Sequence, residues 1–125
     1  MIDNPNTLIE TLFKDFKVND KSVPVSFLRY NGNSTTYVTY QLAFSNTAMS
    51  SDDKLRNYLD FYDFDVYSKE NYIPIVEAIK QILTDAGFRW RPENSSGDLF
   101  EDDTGYYHKT LNFSIERSTQ WLKLV

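Results

Sequence analysis

The chain has 125 residues, no cysteine, 13 Lys+Arg against 18 Asp+Glu, and a formal net charge of -5. Length argues for one domain with a core large enough to need no staples. Zero cysteine excludes disulfide scaffolds, thiolate metal sites and thiol nucleophiles, and the acidic balance argues against gripping nucleic acid, which needs a cationic surface. Aromatic residues make up 16%, which favours strands and buried or interfacial rings.

In chain order, Thr7–Phe16 reads as a short amphipathic helix, with Thr7 and Glu10 at capping-box spacing. Leu8, Leu12 and Phe16 share one face, with Ile9 and Phe13 beside it. Residues 17–22 form a polar linker. Val23–Tyr30 reads as a strand that starts at an edge, because Pro24 cannot donate to a ladder. Asn31-Gly32-Asn33-Ser34 is a turn signal, and Thr35–Phe44 follows as the partner strand of a hairpin. Val38, Tyr40, Leu42 and Phe44 fall on one face, and Tyr37, Thr39 and Gln41 on the other.

Residues 45–54 are small and polar, and read as a long loop. Leu55–Ser68 is a strand. Tyr58, Tyr62, Phe64 and Val66 lie on one parity, and Leu59, Phe61, Asp63, Asp65 and Tyr67 on the other, with a bulge expected near Leu59. Tyr72–Ala86 is the strongest helix. Ser68 or Asn71 can cap it, Pro74 belongs in its first turn, and Gly87 sits where a left-handed residue ends a helix. Residues 88–91 form a strand ended by Pro92, and 93–98 a connection. Leu99–Asp103 and Tyr106–Arg117 flank Thr104-Gly105 as a second hairpin. The tail 118–125 has an apolar end. The sequence therefore predicts an α+β domain of order α-β-β-β-α-β-β. Its two helices pack on one face of a mainly antiparallel or mixed sheet. Residues 1–22 supply the first helix and linker, and 23–117 the sheet and main helix.

The start of the chain lacks the basic-then-apolar pattern of a leader, and no apolar run reaches membrane-span length. His108 is the only histidine, G-x-S-x-G is absent, and no phosphate loop occurs. His108 therefore reads as a surface or partner-contact residue. Glu101-Asp102-Asp103-Thr104-Gly105 lacks the ligand spacing of a calcium loop and reads as a turn. Asp63 and Asp65 share a strand face, which allows them to act as paired carboxylates, but with nothing nearby that suggests acid–base work they read as solvent-facing residues of a half-buried strand. Arg89-Trp90-Arg91 is too short for single-stranded nucleic acid and suits salt bridges or an interface. Three glycosylation sequons, beginning at Asn33, Asn94 and Asn112, are set aside for want of a leader. The sequence thus predicts no catalytic, cofactor or metal residue.

Three further segments carry a family likeness: Phe64-Asp65-Val66-Tyr67-Ser68; the helix Ile75-Val76-Glu77-Ala78-Ile79-Lys80-Gln81-Ile82-Leu83 closed by Ala86-Gly87-Phe88; and Glu101–Lys109 entering Leu111-Asn112-Phe113-Ser114-Ile115. With the tyrosine-rich hairpin Val25–Phe44, this pattern resembles the tail-terminator (tail-completion) proteins of long-tailed, non-contractile phages and prophages of Gram-positive bacteria. The resemblance spans roughly residues 23–117. It implies a structural, non-enzymatic role in the virion, at the head-proximal end of the tail, after assembly in the host cytoplasm. It also implies a ring of identical copies, usually six, that stops tube polymerisation. The tail tube protein and the head connector would be its partners. A ring needs a heterologous interface that closes. Tyr37, Arg56, Tyr58, Arg89, Trp90, Arg91, Tyr106 and His108 are the candidate contact residues, and loop 45–57 a candidate assembly surface. An acidic ring would let DNA pass without sticking, an idea that a lumen lined by Lys54, Arg56, Arg89 and Arg91 would contradict. Another neck or head-closure component is the nearest alternative reading, and a small-ligand binding module on an α+β scaffold a more distant one.

Overall fold

The computed structural model describes residues 4–49 and 55–118. It is an α+β domain, and both helices cover the same face of a mixed, mostly antiparallel sheet. Helix α1 runs Pro5–Leu12, earlier than the expected 7–16. Asn4, not Thr7, caps it, its side chain accepting the Asn6 N–H at 3.1 Å. Pro5 fits the first turn because that turn has no use for its missing N–H. The expected linker folds into a small ribbon, β1 (Lys17–Val18) against β2 (Lys21–Ser22). Asn19 and Asp20 both adopt positive φ there, as a tight primed turn demands.

The largest departure is β3 (Val25–Phe27), which pairs with β4 (Thr36–Met49) in parallel and not as a hairpin. Leu28 takes a left-handed φ of 67° and ends β3 after three residues. The chain then loops back to start β4 beside the beginning of β3. The residues expected to form a loop after Phe44 instead continue β4 to Met49, paired antiparallel with β5 (Leu55–Ser68). Residues 50–54 lie outside the described residues. The bulge falls on β4 at Ala43 and not at Leu59: Leu42 faces Tyr62, but Phe44 faces Phe61. The extra residue turns Phe44 to the face opposite Leu42, where an unbroken alternation would have kept the two together.

Helix α2 (Ile73–Asp85) matches expectation. Asn71 accepts the Ile73 N–H at 3.2 Å, and Gly87 closes the helix at φ 101°. Strand β6 (Arg89–Trp90), a 3-10 turn (Pro92–Asn94) and β7 (Leu99–Glu101) run along one edge of β8 (Tyr106–Ser118). Between β6 and β7 the serine hydroxyls act as substitute ladder partners. Ser95 Oγ accepts the Asn112 N–H and Ser96 Oγ the Thr110 N–H, both at 2.9 Å. The sheet order is β3-β4-β5-β8-β6, with β7 also on β8.

The core lies between the helices and the sheet. Val38, Tyr40, Tyr62, Phe64, Val66, Leu111, Phe113 and Ile115 meet Ile9, Phe13, Ile75, Ile79 and Leu83. Phe64 is completely buried, with rings of Phe13, Tyr40 and Phe113 centred within 6.0 Å.

Candidate interaction surface

Among the described residues no helix covers the other face of the sheet, so its side chains can be read row by row. Register sets the rows, since residues opposite one another share a face. Tyr37, Tyr67 and His108 form the first row; Thr39, Asp65 and Thr110 the second; Gln41, Asp63 and Asn112 the third; and Phe44, Phe61 and Ser114 the fourth.

In the first row the rings of Tyr30, Tyr37, Tyr67 and His108 stack in sequence, with centroids 4.6, 5.0 and 4.2 Å apart. Tyr106 stands edge-on to Tyr37 at 5.9 Å, beneath the Lys69 ammonium. The ring faces inside this ladder are taken by one another, so it offers ring edges and hydroxyls and no open stacking platform. Burial pushes the Tyr67 phenol up to about 12, and the Asp65 charge adds to the shift. Tyr37 rises too, chiefly through burial and then through Tyr106.

Asp65 ties the first row to the second. One of its oxygens meets His108 Nε2 at 3.1 Å and accepts from Thr110 Oγ1 at 2.5 Å. Glu101 lies 3.9 Å from His108 Nδ1. The Thr110 hydroxyl therefore gives its proton to the carboxylate and not to the imidazole, so the group is not arranged as a base-activated nucleophile. Asp63 is held separately by Asn112 Nδ2 at 2.8 Å, and Asn94 donates to Asn112 Oδ1 at 3.2 Å. Burial raises the Asp63 carboxyl and the Asn112 bond partly offsets it. In the last row Phe44 and Phe61 stack at 4.3 Å. The Arg91 guanidinium lies 5.3 Å from the Phe61 ring centre and donates to Ser114 Oγ at 2.8 Å. Arg89, Arg91, Ser114 and Glu116 border an open cleft of about 570 Å³. Among the described residues no three His, Asp or Glu side chains converge as metal ligands do, and no helix is long and apolar enough to cross a membrane.

Five of the eight candidate contact residues thus share this face: Tyr37, Arg89, Arg91, Tyr106 and His108. Trp90 does not. It points to the helix side, 5.3 Å from Phe113, with Lys80 over its ring. Tyr58 also lies on the helix side, beneath the Arg117 guanidinium at 4.2 Å. The Arg56 side chain is outside the described residues.

Sequence reasoning missed two features. Asp60, almost fully buried, accepts from Ser45 Oγ and Arg117 Nε, each at 2.7 Å. It thereby ties β4, β5 and β8 together, and only the cross-strand register could have paired it with Arg117. The second is an open edge. Strand β3 covers β4 only over Val38–Tyr40, so among the described residues Gln41–Met49 has β5 on one side and no strand on the other. Phe27, Leu28, Leu42 and Phe44 are each about half exposed around it.

The fold and this face define a small α+β domain with a helix-covered side and a patterned, helix-free side. No protein-family model matches the chain, and no curated protein matches it at a significant level.

Proposed function

We propose that this chain is a structural protein of phage tail assembly. In this reading it caps the finished tail tube, ends its polymerisation and joins it to the head connector, working as a ring of its own copies. The likeness of residues 23–117 to tail-terminator proteins suggests the reading. The observation that carries it is the helix-free face. Its carboxylates, imidazole and ring faces are spent on one another, which suits a rigid contact surface better than a reaction centre. With a net charge of -5, a ring of such chains would repel DNA passing through it.

Electron microscopy of particles made without the gene tests this. Tails of abnormal length, with free heads, and rescue by the gene in trans are expected. Normal particles would refute the proposal. Tails of normal length that fail to join heads would replace it with a neck or head-closure role.

A further inference from the structure

The open edge of β4 has a chemistry that narrows what it can bind. Val38 donates its N–H to the Pro24 carbonyl, and the Tyr40 carbonyl accepts from Leu28 N–H. The even-numbered positions of β4 thus turn their backbone groups towards the edge. The alternation carries on to Leu42, and the bulge at Ala43 shifts it to Ser45 and Thr47. Among the described residues no strand takes up these groups. Native edges are commonly guarded by lysine, proline, an inward charge or a bulge. Of these this one has only the bulge at Ala43: no charged residue and no proline occurs from Tyr30 to Ser51, in a chain that is 25% charged.

We propose that this edge pairs with the same edge of a second copy, antiparallel about a two-fold axis, so that two sheets become one. Charge selects the occupant. An acidic chain repels its own copies, so a copy-to-copy contact belongs where charge is absent. A partner of opposite charge would be steered to carboxylates that this edge does not have. The other side of the sheet is guarded, because β7 runs into Glu101-Asp102-Asp103 and two such corners repel. Identical edges related by a two-fold axis run antiparallel, as an isologous contact requires. Leu42 on the helix side and Phe44 on the other would each gain cross-strand neighbours. A two-fold contact does not by itself close a ring, so this inference does not depend on the tail-assembly reading.

Sedimentation equilibrium from micromolar to millimolar protein, with amide exchange on the same samples, tests it. A monomer–dimer equilibrium is expected, with the Leu42, Ser45 and Thr47 amides slowing as dimer fills. Leu42→Lys replaces, in both copies, a half-exposed leucine that the pairing would bury, so the dimer should weaken at least about a hundredfold. Thr47→Pro deletes an outward N–H without touching the β5 ladder and should weaken it too; circular dichroism would check that both variants fold. A monomer throughout the range overturns the proposal. So does a dimer that survives both substitutions, or an oligomer whose three amides exchange as freely as in an open strand. Amides slow in samples that sediment as monomer would mean that another part of the same chain covers the edge, which also overturns it.

Discussion

Replacing Asp60 by alanine should cost more than most single substitutions in this chain. The carboxylate is 2% exposed and accepts from Ser45 Oγ and Arg117 Nε at 2.7 Å, with Arg117 Nη2 at 3.5 Å. Asp60→Ala leaves the guanidinium with the Tyr58 ring beneath it and without its carboxylate, and takes an acceptor from Ser45. Breaking a buried pair from one side costs about 3–5 kcal/mol. The Arg117 side chain is 23% exposed, so water relieves part of the loss and a value near the lower end, about 3 kcal/mol, is expected. For a domain of this size that lowers the Tm by roughly 10–15 °C. Urea unfolding, followed by near-ultraviolet circular dichroism of the tyrosines, measures it. Asp60→Leu with Arg117→Met should recover most of the stability, because a well-packed apolar pair needs no desolvation of charge. A single Asp60→Ala variant within about 1 kcal/mol of the parent would show that water reaches the pair, and the reasoning fails.

Three further outcomes follow from the same structure. Tyr62, pushed up to about 12 by burial and then by the Asp60 charge, is neutral in the folded protein beyond the ordinary phenol range. Its contribution to stability is complete below about pH 10 and is lost as pH rises towards 12. Absorbance titration should therefore show late phenols, one fewer of them in Tyr62→Phe, and those that remain should merge with the early ones in urea. Asp63 is raised by burial, so its charge opposes folding at neutral pH. Asp63→Asn keeps an acceptor for Asn112 and should match or exceed the parent's stability at pH 7, with the gap closing as pH falls through the carboxyl range. Gly87→Ala meets no steric neighbour but keeps a φ of 101°, so a loss of about 1–2 kcal/mol in urea midpoints is expected from conformation alone.

Helix α2 was legible because every local signal agreed: Pro74 at its start, the Ile75, Ile79 and Leu83 stripe, and Gly87 at its end. The two faces of β5 were legible from alternation, but the five candidate contact residues that share the helix-free face come from β4, β8 and the β6 segment, and only the register brings them together. Ser45–Met49 was not legible. Ser-Asn-Thr-Ala has loop composition, and only pairing with β5 makes it a strand. Nor was the parallel β3, since Asn31-Gly32 announces a turn but a left-handed Leu28 has no local signal. The His108–Asp65–Thr110 and Ser45–Asp60–Arg117 groups join residues far apart in sequence, and they exist only once the register is known.

Strand β5 lies between β4, its neighbour in sequence, and β8, which follows only after α2 and β7. The β4–β5 hairpin closes a short loop, whereas pairing Tyr62 with Phe113 closes a long one. Local contacts form fast and distant ones slowly. During synthesis the hairpin therefore stands complete while β8 is still to come, with the Phe64 side of β5 unpaired and apolar. For that interval α1, already made and carrying Phe13 against Phe64, is the first cover available and α2 the next, and the speed with which they dock sets how long the nascent sheet is open to wrong partners.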